Sequence, residues 1–346
     1  MARAPPAFRR GEPHAGRPRL QDVAAAAGVS AMTVVRVLRD PAKVAARTRE
    51  RVERVLRKTG YTPDLVARGL AINRSGLVAA IIPVLTNSLI AEIMQGLSDA
   101  LAPAGYHLLL GASGFSAAGE EALVRAFLSR RIDGLYLSGV GHTAETRRLA
   151  RRAGIPVVEG GNLTTRPIDM VVGYSNVEAA RTMTRYLAGR GYAPIGYIGA
   201  HAQDNDRARD RRRGYEAALR DARHTVDASL CVETSLDIDA GARALGELVD
   251  RRPDVRAVFC SADAIAVGAL HECHRRGLAV PGRIAVGGFD DIPIAEHVDP
   301  ELTTIRIPRY AIGQHAGAMI CQRLVGRTPG ERVIDTGFEL VPRASA

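Results

Sequence analysis

Leu20-Gln-Asp-Val-Ala-Ala-Ala-Ala27, Gly28-Val-Ser30 and Ala31-Met-Thr-Val-Val-Arg-Val-Leu38 run without a break near the amino end of this 346-residue chain. The first run consists of helix formers and stops at Gly28, a residue suited to the left-handed position just past a helix end. Ser30 can then cap a second helix. In that helix Val34, Val37 and Leu38 share an inward face, while Ala31, Met32, Val35 and Arg36 point outward. Two short helices about Gly-Val-Ser predict a helix-turn-helix. Asp40-Pro41 interrupts the chain, and residues 48–58 predict a third helix whose Val52, Val55 and Leu56 close a small core before Gly60. In such a unit the second helix enters the major groove of double-stranded DNA with its first residues at the base edges. The candidate contacts are therefore Ser30, Ala31, Met32, Thr33 and Arg36, and the Arg36 fork can pair with a guanine edge.

The charge distribution points the same way. The chain carries a formal net charge of +10. Residues 1–76 hold the whole surplus, with fourteen Arg, Lys43 and Lys58 against six acids, so residues 77–346 are neutral. A basic excess confined to one-fifth of the chain predicts a polyanion-binding head on a neutral body. Phe8 and Tyr61 are the head's only aromatics, too few for a base-stacking platform of the single-strand or RNA type. Residues 1–17 are rich in Pro, Gly and Arg without periodicity and read as a disordered basic arm. The head proper is expected over 18–62. Arg9 and Arg10 are followed by Gly-Glu-Pro-His and not by an apolar run, so no secretory signal is expected and a cytoplasmic location is. The longest apolar runs are too short to span a bilayer, so no membrane partner is expected. Cys231, Cys260, Cys273 and Cys321 stand singly, as reduced, packed thiols do.

From residue 77 onward short apolar strands alternate with amphipathic helices. Strands are expected at 77–84, 107–110, 134–137, 156–158, 195–198, 257–260 and 284–287. Helices are expected at 92–101, 120–130, 176–189, 211–222, 240–250 and 263–276. This alternation predicts an α/β body of parallel, doubly wound sheets. About 270 residues divide more naturally into two sheets than one, with a ligand in the crevice at the strands' carboxyl ends. There is no GxGxxG after a strand, no GxxxxGK[ST], no GxSxG and no HExxH, so dinucleotide, phosphate-loop, hydrolase and metalloprotease chemistry each lack their first requirement. His271 and His274 share a helix face but read as packing and rim, and neither a metal nor a cofactor is expected. A transport protein or an α/β enzyme on a similar fold are the alternatives. The first would not need the basic head, and the second would need a catalytic constellation.

Leu20-Gln-Asp-Val-Ala, Gly28-Val-Ser, Arg36-Val-Leu, Thr48-Arg-Glu-Arg-Val, Gly60-Tyr-Thr-Pro-Asp and Val66-Ala-Arg-Gly-Leu70 resemble the head and hinge of LacI/GalR-family transcriptional repressors. The resemblance continues at lower density to the carboxyl end. It implies a homodimer, with a tetramer possible, on a near-palindromic operator. It also implies a hinge helix and linker over 63–76, with Arg68 on the DNA and Leu70 as a wedge between base steps. Seven or so residues including Gly69 are too few to hold a helix without a docking partner. The body resembles the family's type I periplasmic-binding-protein-like effector domain over 77–343. This implies one subdomain of about 77–175 and 306–330 and a second of about 176–305 and 331–343. Leu85-Thr-Asn87, Gly154-Ile-Pro-Val-Val-Glu159 and Val177-Glu-Ala-Ala-Arg181 are most similar to the gluconate-utilisation type, which implies a sugar or sugar-acid effector.

Such a ligand needs convergent hydroxyl partners and a charge-assisted partner for its carboxylate. Carried over by the resemblance, Arg209 holds the effector, with Arg207 the alternative if the alignment slips by two. Asp290, in Gly287-Gly-Phe-Asp290, accepts hydroxyl bonds or belongs to a turn with Asp291. Asp263 either reaches the effector or caps its helix, and Ala262 stands where the family pattern has Asn. Glu159 and Asn87 are placed at strand ends facing the same crevice.

Overall fold

In the computed structural model, residues 18–61, 74–85, 88–203 and 205–346 are described. They fall into two units that divide between Ser75 and Gly76. The arm at 1–17, the hinge contacts Arg68 and Leu70, and Asn87 lie outside the described residues.

The first unit is built from α1 (Leu20–Ala27), α2 (Ala31–Arg39) and α3 (Ala46–Thr59). At the start of α1 the Asp22 carboxylate accepts the Arg19 amide at 2.7 Å. Gly28 closes the helix at φ +60°, a backbone conformation that a Cβ would strain. Two residues later Ser30 Oγ accepts the Thr33 amide at 3.2 Å, so the turn is fixed by one glycine and one cap. Val23, Ala24, Ala27, Val34, Val37 and Val52 form the buried core. α3 begins at Ala46, two residues ahead of the helix expected at 48.

The second unit contains two parallel sheets. Six strands make the first, in the order β11-β5-β4-β3-β1-β2: β1 (Leu77–Ile82), β2 (His107–Ala112), β3 (Gly134–Ser138), β4 (Val157–Gly160), β5 (Met170–Gly173) and β11 (Val333–Asp335). Four make the second, in the order β7-β6-β8-β9: β6 (Ile195–Ala200), β7 (Cys231–Thr234), β8 (Ala257–Cys260) and β9 (Ala285–Gly287). A short antiparallel pair, β10 (Thr304–Arg306) and β12 (Glu339–Val341), joins the returning chain segments. Helices α4 (Ser88–Leu101), α5 (Ala117–Ser129) and α6 (Ala144–Arg152) follow β1, β2 and β3. α7 (Asn176–Gly189), α8 (Asp206–Asp221), α9 (Ile238–Arg251) and α10 (Asp263–Arg275) serve the second lobe, and α11 (Arg309–Leu324) returns to pack on α4.

One boundary differs from the sequence expectation. The sequence places about 331–343 in the second subdomain, whereas Val333–Asp335 pairs with Val171–Gly173 at the edge of the first sheet. The outer edge of β5 would otherwise present unpaired backbone groups, and β11 covers it. Only from Glu339 does the chain join the second lobe's side. All four cysteines are free. No single helix among the described residues is long and apolar enough to cross a membrane.

Candidate functional site

The two lobes face each other across a cleft enclosing about 720 Å³ of empty space, part of it open to solvent. Its walls come from the carboxyl ends of strands, as parallel topology requires. Tyr136, Ser138, Gly161 and Tyr174 belong to the first lobe, and Ser261, Ala262 and Asp290 to the second. The first turns of α8 supply Arg207 and Arg211. Asn205 caps this helix, its Oδ1 accepting the Ala208 amide at 3.2 Å.

Five arginines lie between 207 and 213, and helical geometry sorts them. Positions four apart share a face, so Arg207 and Arg211 both point at the cleft. The Arg207 guanidinium is only lightly engaged: Nη1 donates to Ser138 Oγ at 3.4 Å, and its nearest carboxylate contact is Asp206 Oδ1 at 3.8 Å. Arg211 is buried. It donates from Nε to Asn176 Oδ1 at 2.9 Å, from Nη1 to the Ser261 carbonyl at 2.5 Å, and from Nη2 to Tyr174 Oη at 3.0 Å. Its Cζ sits 3.7 Å above the Phe289 ring, and Nη2 lies 3.4 Å from Asp290 Oδ1. Arg209 turns outward instead, is exposed, and donates to the Ala202 carbonyl at 2.9 Å. Of the two arginines weighed from the sequence, the cleft is lined by the alternative, Arg207, and not by Arg209, and Arg211, which the sequence did not single out, joins it. The four-residue spacing, with buried Tyr215 four further on, is the signal that could have found it.

Asp290 lines the cleft at φ +112°, with Asp291 next to it at φ +51°. Burial pushes the Asp290 carboxyl up to about 6, against the opposing pull of Arg211, Arg309 and Arg207. Asp263 does not line the cleft, and the residue preceding its helix is Ala262. Both its oxygens are taken, Oδ1 by Thr304 Oγ1 at 2.6 Å and Oδ2 by the Ile292 amide at 2.8 Å. It is thus neither a cleft contact nor a cap, but the anchor of the chain leaving β9. Burial, and then the neighbouring Asp290, raise it to about 7.

Glu159 is also displaced from its expected role. Side chains alternate along β4, so Val158 joins the core under the cleft while Val157 and Glu159 face the other side of the sheet. There Glu159 Oε2 accepts the Ile168 amide at 2.5 Å, and Oε1 lies 3.4 Å from His142 Nε2 and 3.5 Å from Arg147 Nη2. Burial disfavours a charge on His142, but Glu120 and Glu159 hold its proton, raising it to about 9.

Beside the cleft the lobes are tied by amide and carboxylate groups. Asn162 Nδ2 lies 2.9 Å from Asp206 Oδ2 and 2.8 Å from Asp210 Oδ2. The Val140 amide also donates to Asp206 Oδ2, at 3.0 Å. Burial opposes ionisation of Asp206, yet Arg207 and these donors hold its carboxyl below the usual range. Gly139 makes the approach possible, since a Cβ there would stand 2.7 Å from Asp206 Oδ1.

In the head, Met32, Val35 and Arg36 are exposed along α2, whereas Ala31 is half-buried against the core. The Ser30 hydroxyl is engaged at the cap and lies 2.9 Å from Thr33 Oγ1.

Residues 19–64 match the model of bacterial regulatory proteins of the lacI family, and residues 184–346 that of a periplasmic binding protein-like domain. The chain is 35% identical over 329 residues to the HTH-type transcriptional regulator GntR of Escherichia coli (strain K12), covering 95% of this chain and 98% of that protein. The chain belongs to the LacI family. This LacI-family protein is accordingly a DNA-binding transcriptional regulator with an effector domain. It is also 36% identical over 332 residues to the regulator GntR of Pseudomonas aeruginosa, covering 95% of this chain and 96% of that one. Among solved structures, the transcription regulator GntR from Chromobacterium violaceum superposes with a TM-score of 0.74 at 37% identity, over 78% of this chain and 98% of its own. The operator-bound lac repressor dimer gives 0.82 at 22% identity and covers 95% and 99%, a likeness of fold.

Proposed function

We propose that this LacI-family protein is a repressor of carbohydrate or sugar-acid utilisation genes, and that a sugar acid such as gluconate in the cleft controls its hold on the operator. The charge balance of the cleft carries this reading: two guanidinium groups, Arg207 and Arg211, face one carboxylate, Asp290. Arg211 is spent on Asp290 and three neutral acceptors, which leaves Arg207 as the fork for a ligand carboxylate. Asp290, Ser138 and Asn205 offer partners for hydroxyls, and the methyl of Ala262 leaves space where a longer side chain would reach in.

The protein acts as a cytoplasmic homodimer and a regulator rather than an enzyme, in keeping with relatives that are transcription regulators. Arg36 and Met32 read bases, and Arg68 and Leu70 contact DNA from the hinge. Gluconate can move the operator equilibrium only by binding one arrangement of the lobes better than the other. The test is a gel shift on a palindromic operator with gluconate, idonate and glucose titrated in. Release by the two acids but not by glucose supports the reading. Binding of none of the three by calorimetry refutes the effector class.

A further inference from the structure

Arg309, the first residue of α11, belongs to the first lobe and divides its guanidinium between that lobe and the second. Nη1 donates to the carbonyls of Asp290 at 2.6 Å and Asp291 at 3.0 Å, while Nε meets Glu92 Oε2 on α4 at 2.9 Å. The two carbonyls belong to consecutive non-glycine residues at φ +112° and +51°, backbone that L side chains seldom adopt and that persists where its surroundings hold it. The Asp290 amide is held as well, donating to the Ile305 carbonyl at 2.9 Å. The turn thus has a fixed amide on one side and a cationic clamp on the other, and it aims the Asp290 carboxylate into the cleft.

We propose that Arg309 is a positioning residue for the effector: it holds the turn at 290–291 so that Asp290 faces the ligand, and through Glu92 it ties that turn to α4 of the opposite lobe. This rests on the reading of Asp290 as an effector contact. Arg309 lies outside the cleft lining, so it acts through Asp290. Three cations bear on that carboxylate, Arg211 and Arg207 from α8 and Arg309 from α11. The neighbouring acidic groups are Asp263 on α10 and Tyr174 after β5. Asp291 directs its own carboxylate away, to Arg306 at 2.6 Å and Arg343 at 2.8 Å.

The experiment uses full-length wild type, Arg309→Met, Arg309→Lys and Glu92→Gln with 13C-labelled aspartate. The Asp290 resonance, assigned through Asp290→Asn, is titrated without ligand, and gluconate affinity is measured in parallel by calorimetry. Arg309→Met is expected to raise the Asp290 midpoint by about one pH unit and to weaken gluconate about tenfold. Arg309→Lys, which keeps the charge but not the fork, is expected to restore the midpoint and only part of the affinity. Glu92→Gln should weaken gluconate about threefold. If Arg309→Met unfolds, the same comparison is made with the lysine variant, whose affinity must then fall below wild type. An Asp290 midpoint that stays put in Arg309→Met, or gluconate affinity within twofold of wild type, overturns the proposal. A wild type that binds no gluconate would strike the sugar-acid reading instead, and the ligand-free Asp290 midpoint would then decide for or against Arg309.

Discussion

Replacing Arg211 with Met keeps much of the side-chain volume under the cleft and removes the charge. Asp290 then loses a partner at 3.4 Å in a buried position on the cleft wall, while Asn176 Oδ1, the Ser261 carbonyl and Tyr174 Oη each lose a donor at 3.0 Å or less. Removing one member of a buried pair costs about 3–5 kcal/mol, because the remaining charge stays in a medium that cannot solvate it. Asp290 has an escape, since a carboxyl already raised to about 6 protonates readily once the cation has gone. The loss should therefore be greater at pH 8 than at pH 5.5. Adding Asp290→Asn should recover at least about 1.5 kcal/mol of it, an interaction energy expected of groups in contact. Urea unfolding of the single and double variants at both pH values measures the cycle. A loss under about 1 kcal/mol, or one indifferent both to pH and to Asp290→Asn, would refute the view that this pair is the electrostatic centre of the cleft.

Three further outcomes are expected. Ser30→Ala removes the cap at the start of α2, costs the head about 1 kcal/mol, and should speed hydrogen exchange at the Thr33 amide. Arg36→Ala should narrow the affinity gap between the preferred base and its rivals at one operator position by about 1–3 kcal/mol, read by gel shifts on a substituted operator series. Asp263 is protonated more readily in the fold, at about 7 against an ordinary 3.8, so the stability it contributes is complete below about pH 4 and is lost as pH rises through 7. Asp263→Asn should flatten the decline in urea midpoint across that window, and an unchanged slope would count against the burial of its charge.

The head was legible because its signals are local: Gly28 and Ser30 set the ends of α1 and α2 with no help from distant residues. The alternation of the body was legible too, and α7 was placed at the residues it occupies. Strands β5 and β7 were missed, as were β10, β11 and β12; the last three carry exposed or polar positions in three residues each and take their places only by pairing with distant segments. α11 escaped because small residues, Gly313, Ala316 and Gly317, fill much of its buried face where large apolar ones would draw a stripe. In the site, Arg207 and Asp290 were within reach of the sequence. Arg211 is not separable from its charged neighbours by sequence, and neither the cleft placing of Glu159 nor the choice of effector contact or helix cap for Asp263 matches the structure, because nothing in a sequence shows a carboxylate turning away to satisfy backbone amides and hydroxyls.

The opening of α8 has an evolutionary consequence. Residues 206–211 carry both the guanidinium groups that line the cleft and the acids gripped by Asn162, so the proposed ligand preference and the tie between the lobes are written in the same six letters. A descendant that swapped Arg207 for a residue suited to a neutral sugar would also remove the cation 3.8 Å from Asp206, the acid that Asn162 and the Val140 amide hold across the lobes. New preferences in this lineage should therefore arrive together with altered switching strength, and restoring the old response would call for a second change at 140, 162 or 210.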